Sequence, residues 1–420
     1  MSRLTATTMT ATPTLLRHRF AKDGSKVGWV ELFFDLVFVF SVTQLSHLLI
    51  ADLTWSGAAE AGFLMLAVWA AWMWTTWAMN WLDTRHAAVR LLLFAMMAGG
   101  LVLSAAIPEA FAERALAFAC AYVFIHNARG LFIVFALRKG PENEYLNFIR
   151  IELWLAFAAI FWIAGALVEG EARWAFWLTG LAVDFGAPWL RFWCPGLGSS
   201  SLDDWSVNPA HIAERCGLFV IIALGESVIM TGATFAELQW DAYNASAFAA
   251  AFIGVVAMWW VYFATTAEEA SELFEHRADP GALARAAYTY AHIPIVAGII
   301  LSAVGDELVL AHPLGHMEPN IAMVIALGPA IFLVGSGLFR WMACGAAPAS
   351  HALGLLIVAV AAVMFWEGPP MALAASTSLA LCIVGAWEAL RRRREVHDPP
   401  SSHRSKHNAA DVIRAERDAR

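Results

Sequence analysis

Lysine is almost missing from the 420 residues: Lys22, Lys26, Lys139 and Lys406 are the only four, and none falls inside an apolar run. That removes a retinal Schiff base and leaves no buried lysine nucleophile. Charge of either sign is scarce, 15% of residues against 60% hydrophobic with a mean hydropathy of +0.60, so there is too little polar surface to coat a large soluble domain. The five cysteines, Cys120, Cys194, Cys216, Cys344 and Cys382, are scattered and never spaced as CxxC. Neither a disulfide framework nor a thiolate metal site is expected, and they read as reduced structural thiols. Outside the two tails and single basic residues at helix ends no basic stripe exists, and the formal net charge is -8, which argues against nucleic acid as a partner. Also missing are GxxxxGK[ST], HExxH, GxSxG and a Rossmann glycine run. No catalytic residue, metal or cofactor is therefore assigned, and an enzyme reading has no motif behind it.

What remains is apolar sequence in long runs. A span with its connection takes about 35 residues, so the chain has room for roughly a dozen membrane helices of ~20 residues each. The runs begin near Trp29, Ala58, Ala87, Ala112, Leu146, Arg173, His211, Tyr243, Ala286, Ala322, Ser350 and Pro370. In that division only Arg114 and Arg173 fall in alternate loops. The positive-inside rule then puts both termini in the cytoplasm. The predicted fold is an all-α, polytopic integral membrane protein of about twelve transmembrane helices, N-in and C-in. Its expected divisions are a cytoplasmic tail at 1–28, a first six-helix unit at 29–194, a cytoplasmic linker at 195–210, a second six-helix unit at 211–390 and a basic cytoplasmic tail at 391–420. No cleavage site of the secretory kind follows the first apolar stretch, so the first helix is expected to remain in the mature chain.

Short matches keep their order across the two units. Val30-Glu31-Leu32-Phe33-Phe34 lies over Ala213-Glu214-Arg215-Cys216-Gly217, Gly99 to Ala105 over Ala297 to Ala303, and Gly130-Leu131-Phe132 over Gly337-Leu338-Phe339. Six is even, so the halves would enter the membrane in the same direction, as a parallel repeat about an axis along the membrane normal.

Ionisable residues inside spans cost about 2.5 to 3.5 kcal/mol each on insertion scales, which makes each a functional candidate. On the first helix Glu31, Asp35, Phe38, Val42, Leu45 and Ser46 share one face; on the seventh, Glu214, Leu218, Ile221, Gly225 and Val228 form the face laid over it. The expected pattern is an acidic mouth under an apolar throat, with His211 one turn below Glu214, after an Asn208-Pro209 start suited to a helix cap. Glu226 stands in the other half of the seventh helix as a proton or cation relay point. Arg129, read as the one cation deep in a span, needs an acidic partner, with Asp35 or Asp184 at matching depth and His126 beside it. Arg215 and His292 complete the list of buried charged or polar candidates. His292-x-Pro294 reads as a kink whose freed carbonyl is satisfied by neighbours. His211-x-x-Glu214 has the spacing of a metal pair, but a hydrogen-bonded network is preferred. Trp74, Trp77 and Trp81 descend one side of the second helix as an aromatic belt would.

Three blocks carry a resemblance: Glu31 to Phe40 with Thr43-Gln44-Leu45-Ser46-His47, His211 to Leu218 running on to Leu224-Gly225-Glu226-Ser227, and His292 to Gly298. Together they resemble the bacterial low temperature requirement A family, with Cys216 a departure where an aromatic residue is expected. The resemblance implies a multi-pass protein of the bacterial inner membrane linked by name to growth in the cold, and no known reaction. In architecture the chain is also similar to two-repeat endolysosomal potassium and proton channels, although Leu218 stands where their second motif has an aspartate. The reading reached is a channel or ion-coupled transporter for a cation or small solute in the lipid bilayer. Its rivals are a redox or cofactor enzyme using His47, His126, His211 and His292, and a non-transporting scaffold. The oligomeric state stays open, a homo-oligomer among the options.

Overall fold

The computed structural model describes residues 15–17, 27–201, 208–263, 285–345 and 347–397. Most of the expected N-terminal tail, part of the expected linker (202–207), the segment 264–284 and the tail beyond 397 lie outside the described residues. Twelve α-helices account for nearly all of the rest: α1 Trp29–Ala51, α2 Trp55–Ala78, α3 Ala87–Ala106, α4 Ala115–Leu137, α5 Glu142–Ala166, α6 Gly170–Gly186, α7 Pro209–Glu237, α8 Ala242–Val261, α9 His292–Ala311, α10 Pro319–Cys344, α11 Ala349–Met364 and α12 Pro370–His397. Among the described residues there is no strand, only isolated bridges at Leu16 with Leu82 and Cys194 with Gly198.

Ten of these helices are long and apolar enough to cross a membrane, the ninth together with the preceding turn from Ala286. The two shorter ones, α6 and α11, have 17 and 16 residues and reach about 24 to 26 Å at 1.5 Å per residue, just under a ~30 Å hydrocarbon layer. Local chemistry sets the starts. Thr54 accepts from Gly57 N at 3.2 Å, Asp241 from Tyr243 N and Asn244 N at 2.9 and 2.8 Å, and Asn208 from Ala210 N and His211 N at 3.1 and 3.3 Å. Each thereby satisfies donors that a helix start leaves open; at α7 this is the cap that Asn208-Pro209 predicts.

In residues 29–186, α1 packs on α2 and α3, α2 on α6, α3 on α4, α4 on α5 and α5 on α6; in residues 209–397, α7 packs on α8 and α9, α8 on α12, α9 on α10, α10 on α11 and α11 on α12. The two sets meet where α1 and α2 touch α7 and α9. Within the first set, α5 and α6 close on one another through a reciprocal pair. Trp177 covers Gly165, where an added Cβ would stand 2.4 Å from Trp177 Cδ1, and Trp162 covers Gly180, where it would stand 3.0 Å from Trp162 Nε1.

Two expectations change. Trp77 and Trp81, read as part of a belt, are interior: they are 3% and 2% exposed, Trp77 Nε1 donating to Thr289 Oγ1 at 3.0 Å and Trp81 lying edge-on to Phe148 at 5.0 Å. Helix two is enclosed by α1, α4, α6, α7 and α9, so its indoles find partners inside rather than at a lipid boundary. The irregularity near Pro294 precedes it, as a π-helical turn Arg285–Tyr290 ahead of α9.

Candidate functional site

The seam between α1 and α7 holds the densest buried charge. Both helices begin at the same end of the bundle and run in the same direction, because contacts pair Glu31 with His211, Asp35 with Arg215 and Thr43 with Glu226 in rising order. Spacings of four residues put Glu31 and Asp35 on one side of α1 and His211 and Arg215 on one side of α7. All four side chains are fully enclosed. His211 Nε2 donates to Glu31 Oε1 at 2.9 Å, Arg215 Nη2 donates to Asp35 Oδ1 at 2.5 Å, and Arg215 Nη1 lies 3.5 Å from Glu31 Oε1. Trp72 Nε1 donates to the same Asp35 oxygen at 2.8 Å.

Two residues that the sequence reading did not select complete the arrangement. Arg17 reaches Glu31 Oε2 at 3.1 Å, from a short segment held by Arg17 N donating to Trp81 O and Asp83 N donating to Leu15 O, both at 2.9 Å. Asn80 accepts from Asn208 N through Oδ1 at 2.9 Å, which turns its amide nitrogen toward His211 Nδ1 at 3.4 Å. Since that nitrogen can only donate, His211 Nδ1 is an acceptor and its proton sits on Nε2, facing Glu31. The ring is therefore neutral in this arrangement, and the two carboxylates are balanced by Arg17 and Arg215. The flanking loop is braced in the same manner. Although burial works to raise the Asp83 carboxyl, hydrogen bonds from the side chain and backbone of Arg85 hold it below the usual aspartate range.

The α1 half of the expected mouth is as the period predicts, with Glu31, Asp35, Phe38, Val42, Leu45 and Ser46 all buried. The α7 half is not. Glu214 is exposed and accepts from Val27 N at 3.3 Å, and Ile221 and Val228 also face out. The buried side carries His211, Ile212, Arg215, Phe219, Ala223 and Glu226 instead. Helix seven is apolar nearly all round, so its period could not select a face; the carboxylates of α1 select it by drawing in the guanidinium. Arg129 is thus not the one deeply enclosed cation. Glu226 is buried beside Thr43, whose Oγ1 lies 2.5 Å from its Oε1.

Among the described residues Arg129 makes no salt bridge to either expected aspartate, although Asp184 lies near enough to interact with its charge. Asp35 is taken by Arg215, and Asp184 Oδ2 accepts from Tyr122 Oη at 2.7 Å and Trp162 Nε1 at 3.0 Å. Arg129 Nη1 donates to Thr75 Oγ1 at 3.1 Å, and Nη2 approaches His126 Nδ1 at 3.4 Å. The Glu152 carboxylate hangs over Gly130 with Oε2 buried and without a hydrogen-bond partner. Arg129 and Asp184 line a narrow aromatic cleft of about 40 Å³ with Trp74, Trp77, Trp81 and Phe148. His292 stands apart: its Nδ1 donates to Ala287 O at 3.0 Å and its Nε2 accepts from Tyr262 Oη at 2.7 Å, so it satisfies a carbonyl beside the π-turn. The histidines do not converge, His47 being exposed and the others sitting with different partners. Among the described residues no three His, Cys, Asp or Glu side chains gather as a metal site would need.

A family model described as bacterial low temperature requirement A protein (LtrA) matches residues 26–386. A protein of Rhizobium meliloti (strain 1021) named as uncharacterized is 38% identical over 367 residues, covering 87% of this chain and 90% of its own. No solved structure matches the chain.

Proposed function

The chain belongs to the bacterial low temperature requirement A family, and from that premise we propose that it is an ion-coupled transporter of the bacterial inner membrane, moving a cation or small solute, with the coupling ion on the α1/α7 seam. The observation that carries this reading is the enclosed quartet Glu31, Asp35, His211 and Arg215 inside two apolar spans. Four ionisable groups enclosed there are costlier than an apolar seam, and such groups mark ion and proton paths. Three buried polar atoms of the quartet, Asp35 Oδ2 and Arg215 Nε and Nη1, have no hydrogen-bond partner, so the network is incomplete as it stands and has room to accept a proton or rearrange. Glu226, 11 residues beyond Arg215 and about 16 Å further along α7, gives the same seam a second titratable station.

Compensation of both carboxylates favours coupling over an open cation-attracting mouth. A pore vestibule keeps its negative charge available to the permeant ion, whereas here Arg17 and Arg215 already neutralise it. A proton entering at Asp35 would weaken its hold on Arg215 and release one link between the two helices. The shared order of helix packing in residues 29–186 and 209–397, together with the common direction of α1 and α7, supports the reading of two parallel six-helix repeats. In that reading the ion site lies between the repeats, as in other repeat-built carriers, with both termini cytoplasmic.

Sealed proteoliposomes test this. With a proton gradient imposed, wild-type protein is expected to carry measurable flux, and Asp35→Asn and Glu226→Gln are expected to abolish it while the protein stays folded. Flux unchanged in both variants, or none above empty liposomes from folded wild type, overturns the proposal.

A further inference from the structure

Away from the α1/α7 seam, α8, α9, α10 and α12 surround a second recess of about 20 Å³. Its lining is mostly apolar, with a few oxygens set into it. Asp306 and Ser302 stand on α9 four residues apart and thus on one side of the helix, Thr377 and Ser378 come from α12, and Ile325 and Pro329 from α10. Asp306 has neither a hydrogen bond nor an ion pair among the described residues. Ser302 is 6% exposed, and its hydroxyl has no partner. The α12 hydroxyls spend their protons elsewhere, Thr377 Oγ1 donating to Ala374 O at 2.9 Å and Ser378 Oγ to Ala250 O at 3.0 Å, which leaves them as acceptors.

Backbone chemistry adds another acceptor. Pro329 lies inside α10 and brings no N–H, so the Ile325 carbonyl four residues earlier loses its helical donor. Such carbonyls occur at membrane depth where they line a site and find another partner there. The two helices that carry these groups lie in backbone contact. A Cβ added at Gly328 would fall 2.6 Å from Ser302 Oγ, and one at Gly298 2.4 Å from Phe332 N.

We propose that this recess binds a single monovalent alkali cation, sodium by preference, through the Asp306 carboxylate, the Ser302, Thr377 and Ser378 hydroxyls and the Ile325 carbonyl. One negative charge among neutral oxygens suits a monovalent hard ion. A divalent ion would call for more carboxylates, and a transition metal for imidazole or thiolate. The cation would supply the positive charge that no side chain gives Asp306, much as Arg215 does for Asp35 at the other site. The inference is independent of the proton path on the α1/α7 seam.

Thermal unfolding of the purified full chain in detergent tests it, with NaCl, LiCl, KCl and choline chloride titrated at constant ionic strength. Wild type is expected to show a saturable rise in its unfolding midpoint with sodium over choline, since a ligand that binds only the folded state stabilises it. Asp306→Asn is expected to weaken the apparent sodium affinity by about tenfold or more. Gly186→Leu, on α6 with open space beside its added Cβ and outside the lining of the recess, is expected to keep the full sodium response. A midpoint equal in sodium and choline overturns the proposal, as does a midpoint set by pH alone or an undiminished response in Asp306→Asn. Should Asp306→Asn fail to fold, Ser302→Ala and Thr377→Val decide: a weakened sodium response in both supports the site, and a full response in both overturns it.

Discussion

At the scale of single residues, the central fact is which guanidinium faces which carboxylate. Arg215 is fully enclosed with Asp35 at 2.5 Å, and its Nε and Nη1 are otherwise without hydrogen bonds. Removing one member of such a pair strands the other charge in a medium that cannot solvate it, a penalty of about 3 to 5 kcal/mol, whereas removing both is often close to neutral. Arg215→Gln is therefore expected to lower the unfolding midpoint sharply in detergent, and Asp35→Asn/Arg215→Gln to recover most of the loss. A double variant as unstable as the sum of the singles would show that the two are not coupled. Neither partner was legible as a pair in the sequence. Asp35 and Arg215 are 180 positions apart, and Asp35 was equally compatible with Arg129. What could have pointed to the pairing is spacing: Glu31 and Asp35 four apart, His211 and Arg215 four apart, each opening a span.

At the scale of elements, helix existence follows from apolar run length, while helix approach follows from small residues placed opposite large ones. The α5/α6 contact shows this. Trp162 and Trp177 are both fully buried, each precedes a glycine by three residues, and each covers the other helix's glycine. Gly165→Leu would drive a side chain into Trp177 and is expected to destabilise by about 1 to 3 kcal/mol through overpacking, read as a lower unfolding midpoint. Gly186→Leu, on the same helix pair but with nothing within 4 Å of its added Cβ, is expected to leave the midpoint nearly unchanged. Equal effects of the two would mean that the close approach at Gly165 does not matter. The sequence showed twelve runs and their approximate starts, because desolvating a backbone in lipid permits little besides a helix. It did not show that α2 would be the enclosed helix, since Trp at one side of an apolar span is written the same way for a lipid belt and for an interior.

At the scale of the whole molecule, topology turns on the short helix α11. The common direction of α1 and α7 requires an even number of crossings before α7, so α6 has to cross if α1 to α5 do. If α11 also crosses, the count of spans is even and the ends share one side; if it does not, they part. The excess of Lys and Arg in the tails and the loops on their side, against Arg114 and Arg173 alone in the alternate ones, argues for a shared cytoplasmic side. A fluorescent protein fused after His397 is thus expected to be bright, and alkaline phosphatase fused there to be inactive. The reverse result would place that end across the membrane and remove α11 from the set of spans.

The sequence by itself determined that this is a multi-pass helical membrane protein, roughly where each helix begins, and that a handful of ionisable residues fall within the apolar helices. Those properties depend on local composition and period, which a single segment carries on its own. The tertiary structure alone decided which face of α7 turns inward, that Glu214 lies outside while Arg215 is enclosed, that Arg129 bonds to Thr75 instead of an aspartate, and that Arg17 and Asn80 complete the seam. A helix that is apolar all round has no preferred side until a charge on its neighbour needs an answer, and that answer lies far along the chain.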